Sequence, residues 1–120
     1  MTNFICKPLP NSTAVIQLIG NLDDSNQFEF FRYISALLDS GIKHVIIECQ
    51  TLGQLTSKGF NSLLSARKRA IRNGSKISLT HLNSNVAQIL EVTKLGRLLS
   101  IFPTTESALE YSKSKLFRFS

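Results

Sequence analysis

The stretch HVIIECQTLGQLTSKGFNSLLSARKRAIRN, residues 44–73, decides the fold. Its β-branched run Val45–Ile47 is typical of a strand covered on both faces, so we expect a buried central strand over residues 43–49. We expect Gly53 to end the strand region. Residues 56–59, Thr-Ser-Lys-Gly, then fall where the next helix begins. A helix start offers unpaired N–H groups and the positive end of a dipole, where a hydroxyl can cap the helix or carry a phosphate. We therefore place the functional site at this junction.

Composition indicates one soluble domain. The chain has 120 residues, of which 42% are hydrophobic, and this is enough for one real core. No apolar run approaches the roughly 20 residues that cross a bilayer, and the first residues do not resemble a signal peptide. We therefore expect a cytoplasmic protein with no transmembrane segment.

Strands and helices alternate along the rest of the chain. We predict strands over residues 4–8, 13–19, 43–49, 76–82 and 98–102, and helices over residues 27–40, 57–73, from about 85, and 106–113. Gly41, Gly74 and Gly96 follow three of these helices, at the position where a helix commonly ends with a residue in the left-handed conformation. The fold class is therefore α/β: a single domain over residues 1–113 in the order ββαβαβαβα, with about four helices on a mixed central sheet. A basic and aromatic tail follows over residues 114–120.

Two helix starts have the spacing of a capping box, in which two residues three apart each accept, through the side chain, from the backbone N–H of the other. Asn26 and Glu29 have this spacing before the first helix, and Asn85 and Gln88 have it before the third. We predict that both asparagines cap their helices.

The second helix is amphipathic, with one cation in an unexpected place. Its apolar face is predicted to contain Phe60, Leu63, Leu64, Ala66, Ala70 and Ile71. Arg67 falls near the middle of that face. The pattern alone does not explain it, although a buried stem with a solvated head would be compatible with this position.

The net charge of +6 raises the question of nucleic acid. The basic residues cluster at Arg67, Lys68, Arg69, Arg72 and Lys76, but no aromatic residue is interleaved with them as a base-stacking surface would need. We interpret the cluster as a solvated helix face or a patch for an acidic protein, and predict no direct contact with nucleic acid.

Residues that enzymes use are scattered rather than convergent. His44 and His81 lie at predicted strand edges, far apart in sequence. Cys6 and Cys49 lie in predicted strands without metal-ligand or Cys-x-x-Cys spacing, so we interpret them as inert core thiols. No nucleophile elbow, metal-binding helix or glycine-rich phosphate loop is present. We predict a protein that is not an enzyme and that has no metal and no cofactor.

The order of elements, with several short motifs, resembles the STAS domain of bacterial anti-sigma factor antagonists. The motifs are Gly20-Asn-Leu-Asp23, the ungapped segment Val45–Gly59, Asn73-Gly74, Thr93-Lys-Leu-Gly96 and Ser107-Ala108-Leu109. The family segment that matches Val45–Gly59 ends in Asp-Ser-Ser-Gly or Asp-Ser-Thr-Gly. The acidic residues Asp23 and Glu48 are retained.

The resemblance implies a module that binds a kinase-type anti-sigma factor and frees a sigma factor. It also implies that this Ser/Thr kinase phosphorylates Ser57 to abolish binding and that a phosphatase resets the switch. The residues that the resemblance assigns to partner binding are Asp23, Thr56, Ser57, Lys58, Gly59 and Phe60.

The match has one departure, which leaves alternatives open. Asp-Ser-Ser-Gly is replaced by Thr56-Ser57-Lys58-Gly59, so a lysine stands at the second hydroxyl position. Either Ser57 accepts the phosphate, or it only caps the helix and the chain is a STAS accessory subunit of a transporter or signalling complex. A nucleotide- or lipid-binding module is a third hypothesis, based on the helix start and the basic excess.

Overall fold

The computed structural model describes the backbone of residues 4–118 and the side chains of residues 4–111. Five strands form one sheet in the order β1-β2-β3-β4-β5. β1 is antiparallel to β2, while β2 to β5 are parallel to one another, so the sheet is mixed as predicted. The elements are β1 (Phe4–Leu9), β2 (Thr13–Leu22), α1 (Gln27–Asp39), β3 (His44–Leu55), α2 (Ser57–Arg72), β4 (Lys76–Thr80), α3 (Ser84–Thr93), a 3-10 helix (Leu95–Leu98), β5 (Ser100–Phe102) and α4 (Thr105–Arg118). This order confirms the predicted α/β fold.

The core lies on both faces of the sheet, as the continuous apolar run in β3 predicted. Ile47 and its neighbours pack on one face under α1, α2 and α3 in the larger cluster. Ile46 points to the opposite face and packs with Val15 and Ala108 of α4 in a smaller cluster. Ile71 of α2, predicted to face the core, is 58% exposed.

β3 is longer than predicted, and Gly53 lies inside it. The strand continues to Leu55 because β2 also continues, with Gly20 opposite Leu52 and Asn21 opposite Gln54 after a shift in register. A β-carbon at Gly53 would lie 3.2 Å from Oδ1 of Asn21. Gly53 therefore marks a bulge with a close approach between strands, which pattern alone does not distinguish from a strand end.

The predicted capping box at the first helix is wrong. Asn26 occupies the cap position of α1 but makes no side-chain cap bond. Its side chain instead fastens the β2–α1 loop: Nδ2 donates to the carbonyl of Asn21 at 2.8 Å, and Oδ1 accepts from the N–H of Asp23 at 2.9 Å. Asn26 therefore shapes the loop ahead of the helix.

The third helix is capped by Asn83 instead of Asn85. Oδ1 of Asn83 accepts from the N–H of Val86 at 2.9 Å. Its Nδ2 donates to the carbonyl of Leu52 at 2.7 Å and so ties α3 to β3. The left-handed residue after α3 is Lys94, with φ 60°, and not Gly96 as predicted.

The last elements also differ from the prediction. β5 begins only at Ser100, because residues 95–98 form the 3-10 helix. α4 continues to Arg118 instead of ending near residue 113, so residues 114–118 of the predicted tail extend this helix. Residues 119–120 lie outside the described residues.

Both cysteines are free thiols. Cys49 is 1% exposed, and burial raises its pKa to about 12, so it stays protonated and unreactive. Cys6 is half-buried. The prediction of a core thiol is confirmed for Cys49.

The burial of His44 is expected to make the stability of the fold depend on pH. Its ring is buried, with Nε2 2.8 Å from Oγ of Ser78. Burial, and secondarily the charge of Lys76, lowers the pKa of His44 to about 4. An unfolded histidine titrates near 6.5, so the unfolded chain takes up the proton first and stability is lost as pH falls from about 6.5 toward 4. We expect the free energy of unfolding to drop by about 2 kcal/mol from this group between pH 7 and pH 5, measured by urea denaturation.

The other histidine provides the control. His81→Gln should keep this pH dependence, whereas His44→Gln should lose it. An NMR titration of the His44 ring in the unmodified protein checks the same point without a variant. A ring that titrates above pH 6 would contradict the prediction.

Candidate functional site

The loop between β2 and α1 meets the start of α2 at one edge of the sheet. β2 and β3 are parallel neighbours, so their carboxyl ends, Leu22 and Leu55, lie side by side. The N–H of Thr56 donates to the carbonyl of Leu22 at 3.2 Å. A β-carbon at Gly59 would overlap the same carbonyl oxygen and lie 3.2 Å from the N of Asp23. The structure thus brings Asp23 next to the Thr-Ser-Lys-Gly segment.

Thr56, and not Ser57, caps α2. Oγ1 of Thr56 accepts from the N–H of Gly59 at 3.2 Å. The same hydroxyl donates to Oδ1 of Asp24 at 3.2 Å. Ser57 is the first helical residue and is exposed. The interpretation of Ser57 as the cap is therefore wrong, and its hydroxyl has no capping role.

Two carboxylates lie beside this helix start. The carboxylate of Asp23 accepts from the hydroxyl of Ser25 at 2.6 Å and from its N–H at 2.9 Å. These bonds hold the pKa of Asp23 below its usual range, so it is ionised near neutral pH. Asp24 is exposed and is held by Thr56.

We call the exposed and half-exposed side chains at this junction the helix-tip surface. It consists of Asp23, Asp24, Ser25, Thr56, Ser57 and Lys58. It has two carboxylates on the loop and one ammonium group on the helix. The dipole of a 16-residue helix adds partial positive charge next to Ser57.

Not every residue predicted for partner binding is accessible. Phe60 is 4% exposed and packs in the larger core cluster. Gly59 is buried and lets α2 approach β2. Asp23, Thr56, Ser57 and Lys58 remain on the helix-tip surface.

The sequence analysis did not assign Asp24 and Ser25 to the site. They adjoin Asp23 in the polar run before α1, and this run was the signal that could have identified them. It also did not predict the exposure of Phe28, the second residue of α1, whose side chain is 71% exposed. Phe28 is absent from the helical apolar spacing, and a large aromatic outside that face is a sign of exposure.

The Thr56 cap gives a stability prediction. Thr56→Ala removes the acceptor for the N–H of Gly59, and we expect a loss of about 1 kcal/mol in the free energy of unfolding. Thr56→Ser keeps the hydroxyl and should stay within a few tenths of a kcal/mol of the unmodified protein. Urea denaturation of the three proteins checks this. Equal losses in the two variants would show that the hydroxyl does not cap the helix.

Among the side chains that the structure describes, the remaining titratable residues form no comparable constellation. Oε2 of Glu48 accepts from the hydroxyl of Thr105 at 2.6 Å and lies 3.7 Å from Nε2 of His81, which ties β3 to the start of α4. Within residues 4–111, no group of three or more His, Cys, Asp or Glu side chains could hold a metal ion. Among the described helices, none has the length and apolar character to cross a membrane.

Comparisons with known proteins agree on this architecture. A family model described as "STAS domain" matches residues 7–108. A Thermotoga maritima protein proposed to be an anti-sigma factor antagonist is 19% identical over 90% of this chain and 92% of its own, with a TM-score of 0.81. Unphosphorylated SpoIIAA of Bacillus is 20% identical over 92% of this chain and 96% of its own, with a TM-score of 0.75. A sulfate transporter family protein from Wolinella succinogenes is 17% identical over 89% of each chain, with a TM-score of 0.69. At these identities, the structural likeness concerns the fold.

Proposed function

Because the chain belongs to the STAS domain family, we propose that it is a non-enzymatic, cytoplasmic module that binds a kinase-type anti-sigma factor through the helix-tip surface. Phosphorylation of Ser57 by that kinase ends the complex, and a phosphatase restores it. The observation that carries the proposal is the exposed Ser57 hydroxyl at the first position of α2, left free because Thr56 makes the cap.

Accessibility and rigidity support Ser57 as the acceptor. A kinase must reach the hydroxyl without unfolding the substrate, and Ser57 is exposed. Its backbone is fixed on both sides, by the Thr56 cap and by the close contact of Gly59 with β2. A partner can therefore read a hydroxyl in a defined place, at little entropic cost.

Charge supports the switch. A phosphate adds about −1.5 to −2 charges beside Asp23 and Asp24, and a partner complementary to the unmodified surface would meet this added charge. Lys58 and the helix dipole offset part of the new charge within the free chain. The phosphorylated chain therefore stays folded, while the net charge of its docking surface becomes more negative.

Intact-mass spectrometry with the cognate anti-sigma factor kinase and ATP tests the proposal. We expect one added phosphate on the unmodified chain and none on Ser57→Ala. Ser65→Ala is the matched control, because Ser65 is an exposed serine on the same helix, and this variant should be phosphorylated fully. Phosphate that persists on Ser57→Ala would remove the proposed switch.

A second candidate is a STAS accessory subunit of a transporter or signalling complex without a phospho-switch. Lys58 favours it, because an ammonium group replaces a hydroxyl beside Ser57. Affinity purification from the native cell would separate the two. Recovery of a transport ATPase or carrier with no kinase would support the second candidate against the first.

A further inference from the structure

A second concave site lies away from the helix-tip surface. A pocket of about 200 Å³ opens between the C-terminal half of α2, the start of β4, β5 and α4. It exists because β5 is short: its first residue, Ser100, pairs with Ser78, so the first two residues of β4 have no strand on that side. The polar residues that line it are Arg67, Ser75, Lys76, Ser78, Ser100 and Tyr111.

Arg67 is the cation that the helical pattern could not explain. It is half-buried in the wall of this pocket. The ion pairs within residues 4–111 are Arg69 with Asp39 and His81 with Glu48, and neither includes Arg67. A half-buried guanidinium with no carboxylate beside it presents donors in a planar fork that suits an oxyanion.

Lys76 supplies the second positive charge. Its ammonium group lies 5.4 Å from the centroid of the Tyr111 ring, which holds the side chain at the pocket by a cation–π contact. Among the described lining residues none is acidic.

Hydroxyl groups complete the lining. Ser100 is exposed at the mouth of the pocket, and Oγ of Ser78 is held 2.8 Å from the ring of His44. The hydroxyl of Ser75 donates to the carbonyl of Ile42 and is therefore engaged elsewhere. The donors that remain are thus one guanidinium, one ammonium and the hydroxyl of Ser100, groups of the kind that bind tetrahedral oxyanions in proteins.

We propose that this pocket binds a small tetrahedral oxyanion, a phosphate or sulfate group, through Arg67 and Lys76. The volume fits such a group, free or as the end of a small ester. Arg67 is ten residues from Ser57, about 15 Å along the axis of α2, so this site is separate from the helix-tip surface. The proposal does not depend on the phospho-switch.

Titration with inorganic phosphate, followed by ¹H–¹⁵N NMR at constant ionic strength, tests the proposal. We expect saturable shifts centred on β4, β5 and the C-terminal half of α2. Arg67→Gln and Lys76→Gln should each weaken binding at least tenfold. Arg72→Gln removes one positive charge from an exposed position on the same helix and should change binding less than twofold.

The outcomes separate a built site from general attraction. If sulfate competes with phosphate and chloride does not, the site is selective for tetrahedral anions, as proposed. If a phosphate monoester binds more tightly than inorganic phosphate, the pocket binds the phosphate group of an ester. Equal weakening by Arg72→Gln and Arg67→Gln, or shifts centred on Ser57, overturns the proposal. The same spectra report whether a variant is folded. If Arg67→Gln is not, Lys76→Gln decides.

Discussion

Replacing Gly59 by alanine is expected to destabilise the protein by about 3 kcal/mol, the upper end of the usual cost of overpacking. The new β-carbon would overlap the carbonyl oxygen of Leu22 and lie 2.6 Å from its carbonyl carbon. Leu22 is fully buried at the end of β2, and its carbonyl accepts from the N–H of Thr56. Because the backbone of Leu22 is fixed in the sheet, the overlap is relieved only if α2 moves away from the sheet, which costs packing free energy. Urea denaturation measures the loss.

Gly96→Ala is the matched control. A β-carbon at Gly96 would meet side-chain atoms of Ile101 and Leu90, both at 3.5 Å, which is ordinary contact. We expect a change within about 0.5 kcal/mol. If the two alanine variants lose the same stability, the close approach of α2 to β2 is not what requires glycine at residue 59.

The order of strands and helices could be predicted because each element has its own local signal. The β-branched run of β3, the apolar spacing of α1 and the glycines at residues 41 and 74 all report local preferences. The length of β3 could not be predicted in the same way. Residues 50–55 are held as a strand by bulged pairing with β2, a contact between segments distant in sequence. The same holds for Asn26, whose side chain reaches back to Asn21 instead of capping its own helix.

The start of a helix at the Thr-Ser-Lys-Gly segment could be predicted, and the β2–α1 loop lies beside it because the carboxyl ends of the parallel neighbours β2 and β3 lie at the same edge of the sheet. The hydrogen bonds within the site could not be predicted from the sequence. Which hydroxyl caps α2, and whether Asp24 holds it, depends on where the β2–α1 loop places its side chains. Arg67 shows the same limit: the pattern marked it as anomalous, but only the short β5 explains the open pocket beside it.

Ser57→Asp is expected to weaken binding of the kinase-type anti-sigma factor by about 100-fold or more, which rests on the proposed function. A carboxylate at this position adds a third negative charge to the helix-tip surface, next to Asp23 and Asp24. A misplaced like charge in an interface costs several kcal/mol, and each 1.4 kcal/mol is a factor of ten in affinity. Isothermal titration calorimetry with the intact partner, without ATP, measures the change.

Two variants distinguish charge from the loss of a hydroxyl and from a change anywhere on α2. Ser57→Ala removes the hydroxyl without adding charge, so its affinity should fall by less than tenfold. Ser65→Asp adds the same charge eight residues further along the helix, about 12 Å from the tip, and should bind normally. If Ser57→Asp binds as tightly as Ser57→Ala, the added charge does not act at this surface. Ser57 could then lie in the interface, but a phosphate on it could not end the complex by charge.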